Sequence, residues 1–166
     1  MTLRIRQAGF GDVEAIAACV AAVPQAHGPG ETDLAGAATP WELWLNAGLY
    51  VWVVVDEAGE VVAVAAARPA EEVDAPQPLE LRTLAVTEAA RGSAVVDRLL
   101  EFCIGDVPAY TWVGQDPWLA AFLERHGFAA DAMNAAGSLR HRDEPATLRR
   151  PAAGADPGRT RWSRSA

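Results

Sequence analysis

A chain of 166 residues with 51% hydrophobic and 22% charged residues has the composition of one globular domain with a sizeable core. Its net charge of −8 argues against nucleic acid or an anionic membrane as partner, and its apolar stretches, 49–55 and 61–67 among them, are too short to span a bilayer. No signal-peptide pattern opens the chain, so a cytoplasmic location is the expectation, and two cysteines without CxxC or His-rich spacing give a metal site nothing to start from.

Residues 3–6 alternate apolar and polar side chains as a short strand does. Asp12 then stands where it can cap a helix that carries Val13, Ile16, Val20 and Val23 on one face and stops at Pro24. After a His-Gly-Pro-Gly loop at 27–30, a weaker helix is expected over 34–45, with Pro40 suited to a first turn. Strands at 49–55 and 60–67 form a hairpin, and Gly59 supplies the positive φ that ends its turn. An acidic, proline-containing loop over 71–78 precedes a strand at 79–86. The helix that follows has Val95, Val96, Leu99, Leu100 and Cys103 at three-four spacing and ends at Gly105. A short strand at 110–113 leads to a helix with Asp116 as cap and Pro117 at its first position, which runs to Gly127. Segments 128–133 and 138–142 are expected to close the sheet as a pair. One domain over 1–142 results, an α/β (α+β) mixed sheet with helices on both faces. The remainder, 143–166, holds prolines, glycines and clustered arginines with nothing to bury, and is expected to be a disordered or loosely attached tail.

The junction between strand 79–86 and its helix is where an anion would bind. A helix N-terminus presents unpaired N–H groups and the positive end of the macrodipole, and Gly92 and Ser93 leave room for a phosphate. The strand carries a second signal. Its apolar positions are odd at Leu79 and Leu81 but even at Leu84 and Val86, and alternation changes parity only where one residue is inserted. A β-bulge between them would bend the strand and open a cleft beside it. Glu80 reads either as a strand carboxylate paired with Arg82 or Arg68, or as a base in that cleft. His126, one residue before Gly127, is placed to meet a helix C-terminus.

In element order and spacing, residues 3–142 resemble the GNAT family of acyl-CoA-dependent N-acyltransferases. Leu84-Ala-Val86, then Arg91-Gly92 and Leu99-Leu100, follow the family's strand, turn and pyrophosphate-binding helix, written Q/R-x-x-G-x-G/A, with Arg91 in the first position. Residues 116–128, closing in Gly127-Phe128, resemble its second cofactor motif, which brings in Asp116 and Phe122. The resemblance implies a sheet of about six to seven strands with a bulged, splayed central strand and acetyl-CoA as the cofactor, without a metal. Leu84 and Val86 would pair with the pantetheine, a bulge N–H near Leu84 or Ala85 would polarise the thioester carbonyl, and the N–H groups of Arg91, Gly92, Ser93, Ala94, Val95 and Val96 would hold the pyrophosphate. Glu80 sits where many members place a catalytic base. Ala94 and Val96 stand where the family has Gly and Gly or Ala, Val96 being expected to crowd the phosphate, and Leu123 replaces a thiolate-protonating tyrosine. The implied acceptor is a primary amine of a small molecule or peptide; Trp41 and Trp44 near Glu31, Asp33 and Glu42 would give a cationic amine an aromatic, acidic wall, although tryptophans three apart on a helix also serve as core. The alternative is a noncatalytic domain of the same fold that binds or regulates, for instance as a homodimer.

Overall fold

Valine and alanine dominate the middle of the chain, and in the computed structural model they form the centre of a seven-stranded sheet. The structure describes residues 2–23, 38–71, 77–113, 116–130 and 160–164. In chain order these are β1 (Arg4–Gln7), α1 (Val13–Ala21), α2 (Ala38–Asn46), β2 (Tyr50–Val55), β3 (Val61–Pro69), β4 (Leu79–Val86), α3 (Ala94–Ile104), β5 (Ala109–Val113), α4 (Pro117–Arg125), β6 (Ala129–Ala130) and β7 (Thr160–Arg164). The strands lie in the order β1-β2-β3-β4-β5-β7-β6, antiparallel throughout except for β4 beside β5.

Local chemistry explains the punctuation. The β2–β3 turn is closed by Asp56, whose carboxylate accepts from the N–H groups of Ala58 and Glu60 at 2.9 Å, while Gly59 takes a φ of +87°. Asp12 stands at the N-cap of α1, but its carboxylate accepts from the Gly9 N–H and both terminal nitrogens of Arg6 instead of from the helix. Pro40 lies in the first turn of α2, where it forfeits no helical hydrogen bond; residues 34–37 of the expected helix lie outside the described residues.

Each face of the sheet carries its own core. Leu81, Leu84 and Val86 of β4 pack with Val96, Leu99 and Leu100 of α3 and with Phe122 and Leu123 of α4. On the opposite face, Val51, Val53, Val64 and Ala85 pack with Ile16 and Val20 of α1 and Trp41 of α2. Alanines at 63, 65, 66 and 67 are buried in β3, and their short side chains let helices from both faces approach the middle of the sheet.

The C-terminal expectation needs correction. Residues 160–164 are not loosely attached: they form β7, inserted between β5 and β6, with Trp162 buried in the α3/α4 core. The arginines beside that tryptophan stack outward, Arg161 over Trp112 and Arg164 over Phe128, and Arg164 donates to the carbonyls of Gly105 and Val107. The strand that pairs with β6 is therefore β7; residues 131–159, including the expected strand at 138–142, lie outside the described residues.

Candidate active site

The parity change in β4 corresponds to a real insertion. Ala66 of β3 pairs with Thr83 and Ala67 with Leu81, so Arg82 is the extra residue of a bulge. On its other side β4 meets β5 only at Leu79–Ala109 and Glu80–Tyr110, after which the two parallel strands separate. The Thr111 hydroxyl bridges the start of the gap by donating to the Leu81 carbonyl at 2.7 Å. Beyond it the orientation of the β4 backbone follows from its other neighbour. Thr87 N–H bonds the Val62 carbonyl, and antiparallel ladders bond alternate pairs, so Ala85 and Thr83 face β3 while Leu84 and Val86 direct their N–H and C=O groups toward the gap.

Strand β4 runs through a 3₁₀ turn at Glu88–Ala90 into the loop before α3, where Gly92 adopts a φ of +80°. A Cβ at Gly92 would meet nothing within 4 Å, so open space lies beside this loop. Most of its N–H groups are already used: Arg91 donates to Glu88 O, Ser93 to Ala90 O, Val95 to the Ser93 hydroxyl and Val96 to Ser93 O. Among the described residues, those of Gly92 and Ala94 have no partner, which narrows the expected run of six donors to two. The Arg91 side chain turns toward α4, where it bonds the Asp116 carboxylate at 2.6 Å and stacks 4.8 Å from the Trp118 ring centre. Asp116 also caps α4 by accepting from Trp118 and Leu119 N–H, so one carboxylate ties the starts of α3 and α4 together.

Glu80 lies two residues before the bulge and is 3% exposed. Its two oxygens are held separately, Oε2 by Arg68 Nε at 2.8 Å and Oε1 by Arg82 at 3.1 Å. Both of the arginine partners considered for it are therefore engaged, and the carboxylate is buried instead of facing solvent.

No family model and no curated protein matches the sequence. Solved structures do match. A ribosomal-protein-alanine N-acetyltransferase from Brucella melitensis superposes with a TM-score of 0.63 at 20% identity, over 98% of this chain and 99% of that one. A putative phosphinothricin N-acetyltransferase gives 0.62 at 18% identity over 99% and 98%. A GNAT-superfamily phosphinothricin acetyltransferase from Sinorhizobium meliloti, solved in complex with AcCoA, gives 0.60 at 19% identity over 79% and 77%. The chain has the GNAT fold.

Within the GNAT fold, several of the expected site residues take positions that their types alone did not reveal. Val96 is fully buried against the sheet, so its branched side chain faces the core and does not crowd the loop, contrary to expectation. The Val95 side chain likewise turns away, toward Leu3, Ile5 and Phe102. Leu123 and Phe122 are core residues, Phe122 lying between the rings of Trp118 and His126 at 5.2 and 4.6 Å. His126 caps α4 through its backbone, while its ring reaches Asp97 of α3 at 3.4 Å. The backbone orientation of Leu84 and Val86 suits an added strand, yet Leu84, Ala85 and Val86 are only 3%, 0% and 2% exposed. Of the expected aromatic and acidic wall, Trp41 is buried in the core and Trp44 lines a surface groove with Arg68 and Glu71; Glu31 and Asp33 lie outside the described residues. Arg68 and Trp118 were not singled out as site residues by motif. Their signals were faint: Arg68 is the first charge after the alanines of β3, and Trp118 follows the helix-start pair Asp116-Pro117.

Proposed function

We propose that this protein is an N-acyltransferase that moves an acetyl or similar acyl group from acyl-CoA to a primary amine by direct attack. The observation that carries the reading is the opening between β4 and β5, which directs the backbone of Leu84 and Val86 into a gap and leads along β4 to the open loop at Gly92 and Ala94. Gap-facing strand polar groups suit the amides of a pantetheine arm by strand addition, and two N–H groups at a helix start that have no partner among the described residues suit a pyrophosphate. Bound acyl-CoA supplies an acyl carbon activated as a thioester; transfer forms a C–N bond and breaks the C–S bond, whose electron pair leaves on sulfur.

The chain's own residues have three tasks in this reading. The gap-facing N–H of Leu84, two residues past the bulge, polarises the acyl carbonyl. Glu80 receives the proton lost by the amine, directly or through water, since each carboxylate oxygen bound to a guanidinium keeps a further lone pair. Arg91 and Asp116 hold the starts of α3 and α4 at a fixed separation beside the loop. Leu123 offers no proton to the departing thiolate, which leaves unassisted or takes a proton from water.

A second reading, a noncatalytic binding or regulatory domain, draws support from the low exposure of residues 84–86 and the double ion pair of Glu80. Calorimetric titration with acetyl-CoA, with dephospho-CoA and adenosine nucleotides as controls, separates the two. The acyltransferase reading expects micromolar binding, about −8 kcal/mol, that requires both pantetheine and pyrophosphate. Absence of binding at millimolar ligand would mean that the covering side chains do not yield, and the noncatalytic reading would stand.

A further inference from the structure

On the α1/α2 face, the ends of α2 and β3 bound a groove of about 420 Å³. Its size falls within the ~300–1,000 Å³ usual for small-ligand sites. One side is apolar, formed by Leu43, Trp44, Leu49 and Pro69, and Leu43 is 64% exposed there. The other side is charged, and among the described residues lining the groove Arg68 is the one cation.

Arg68 faces two ways. Its Nε is anchored inward on buried Glu80, whereas its Nη1 lies 3.1 Å from Glu71, a side chain 72% exposed. Among the described residues Nη2 has no partner. The guanidinium is thus fixed on its inner edge and presents its outer edge to the groove, covered among the described residues by a single exposed carboxylate. Ion pairs of that exposed kind are weak, and a guanidinium edge matches a carboxylate with two parallel hydrogen bonds. Arg68 and Glu80 are partners across β3 and β4, so the guanidinium that lines the groove is anchored on the carboxylate two residues before the β4 bulge.

We propose that this groove binds the acceptor, that the acceptor is an α-amino acid with an apolar side chain, and that its free carboxylate takes the place of Glu71 on Arg68. The assignment rests on the acyltransferase reading for its chemistry, but not for its binding. It replaces the cationic acceptor expected from the sequence with one that carries its own carboxylate, because the groove offers a guanidinium held open by a displaceable acid.

Titration of the full chain with leucine, methionine and phenylalanine, each against its carboxamide, tests the proposal. At least one acid should bind tenfold or more tightly than its amide. Arg68→Gln should erase that preference, and Glu71→Ala, an exposed change that leaves the fold intact, should tighten binding of the acid several-fold without affecting the amide. Equal affinities for acids and amides, no binding of any acid at 10 mM, or weaker acid binding by Glu71→Ala would overturn it. The acetyl-CoA titration keeps the two claims apart: cofactor binding without acid preference sinks the groove assignment alone, and acid preference without cofactor binding sinks the acyltransferase reading alone.

Discussion

Glu80 concentrates the question of what a buried carboxylate beside a bulge is for. Removing its charge while keeping its shape, as in Glu80→Gln, has separable consequences. Arg68 and Arg82 lose their common counter-charge, and leaving partly buried charged groups with a weaker acceptor costs about 1–3 kcal/mol, visible as a lower urea midpoint. If Glu80 also takes the proton from the acceptor, kcat falls by ~10²–10⁴ while the acetyl-CoA dissociation constant stays within twofold, because the proposed cofactor contacts lie elsewhere on β4 and at the start of α3. We expect both effects. Steady-state kinetics of thiol release, run with an acceptor found in the amino acid panel, gives the rate, and denaturation gives the stability; loss of stability with full kcat would leave Glu80 as an anchor for the two arginines and nothing more.

Strand β7 shows what a packed element can be made of when its sequence carries little hydrophobic signal. In Thr160-Arg-Trp-Ser-Arg164 a single tryptophan enters the core, and backbone pairing on both sides together with stacked arginines does the rest. Trp162→Ala should therefore cost about 3–5 kcal/mol, the range for emptying a large aromatic site, and a urea melt with a loss below 1 kcal/mol would show that β7 is dispensable. The same strand explains where reading from sequence reached its end. The bulge was legible because parity is a one-dimensional property: Leu79, Leu81, Leu84 and Val86 announce it without a partner. The helix start at Asp116 and the turn at Gly59 were legible for the same reason, since caps and positive-φ positions are local. Strand β7 depends on distant pairing with β5, which composition cannot encode. Within the candidate site, the open glycine loop between β4 and α3 was legible, but the direction of Val96 into the core and of Arg68 into a groove depends on which face each element presents after packing.

Because the sheet is covered on both faces, its stability is shared between two cores, and each carries one thiol. Cys19 lies in the α1/α2 core and Cys103 in the α3/α4 core. Burial pushes both thiols up to about 12 from an ordinary value of 9.0, so neither is a nucleophile at neutral pH. The consequence for stability has a definite sign. Below pH 9 the thiols are protonated in both folded and unfolded chains and contribute no pH dependence. Between 9 and 12 the unfolded chain releases protons that the folded chain retains, so the unfolded state binds fewer and unfolding becomes easier as pH rises. A Cys19→Ala/Cys103→Ala variant should start less stable, because two small cavities are left, but should lose less stability than the parent between pH 8.5 and 10.5 in parallel urea titrations. Single variants then assign the slope: if the two faces open as one unit, each removes its own share and the shares add, whereas a slope that disappears with Cys103 alone would mean that the α3/α4 face, which carries the proposed cofactor loop, opens before the other.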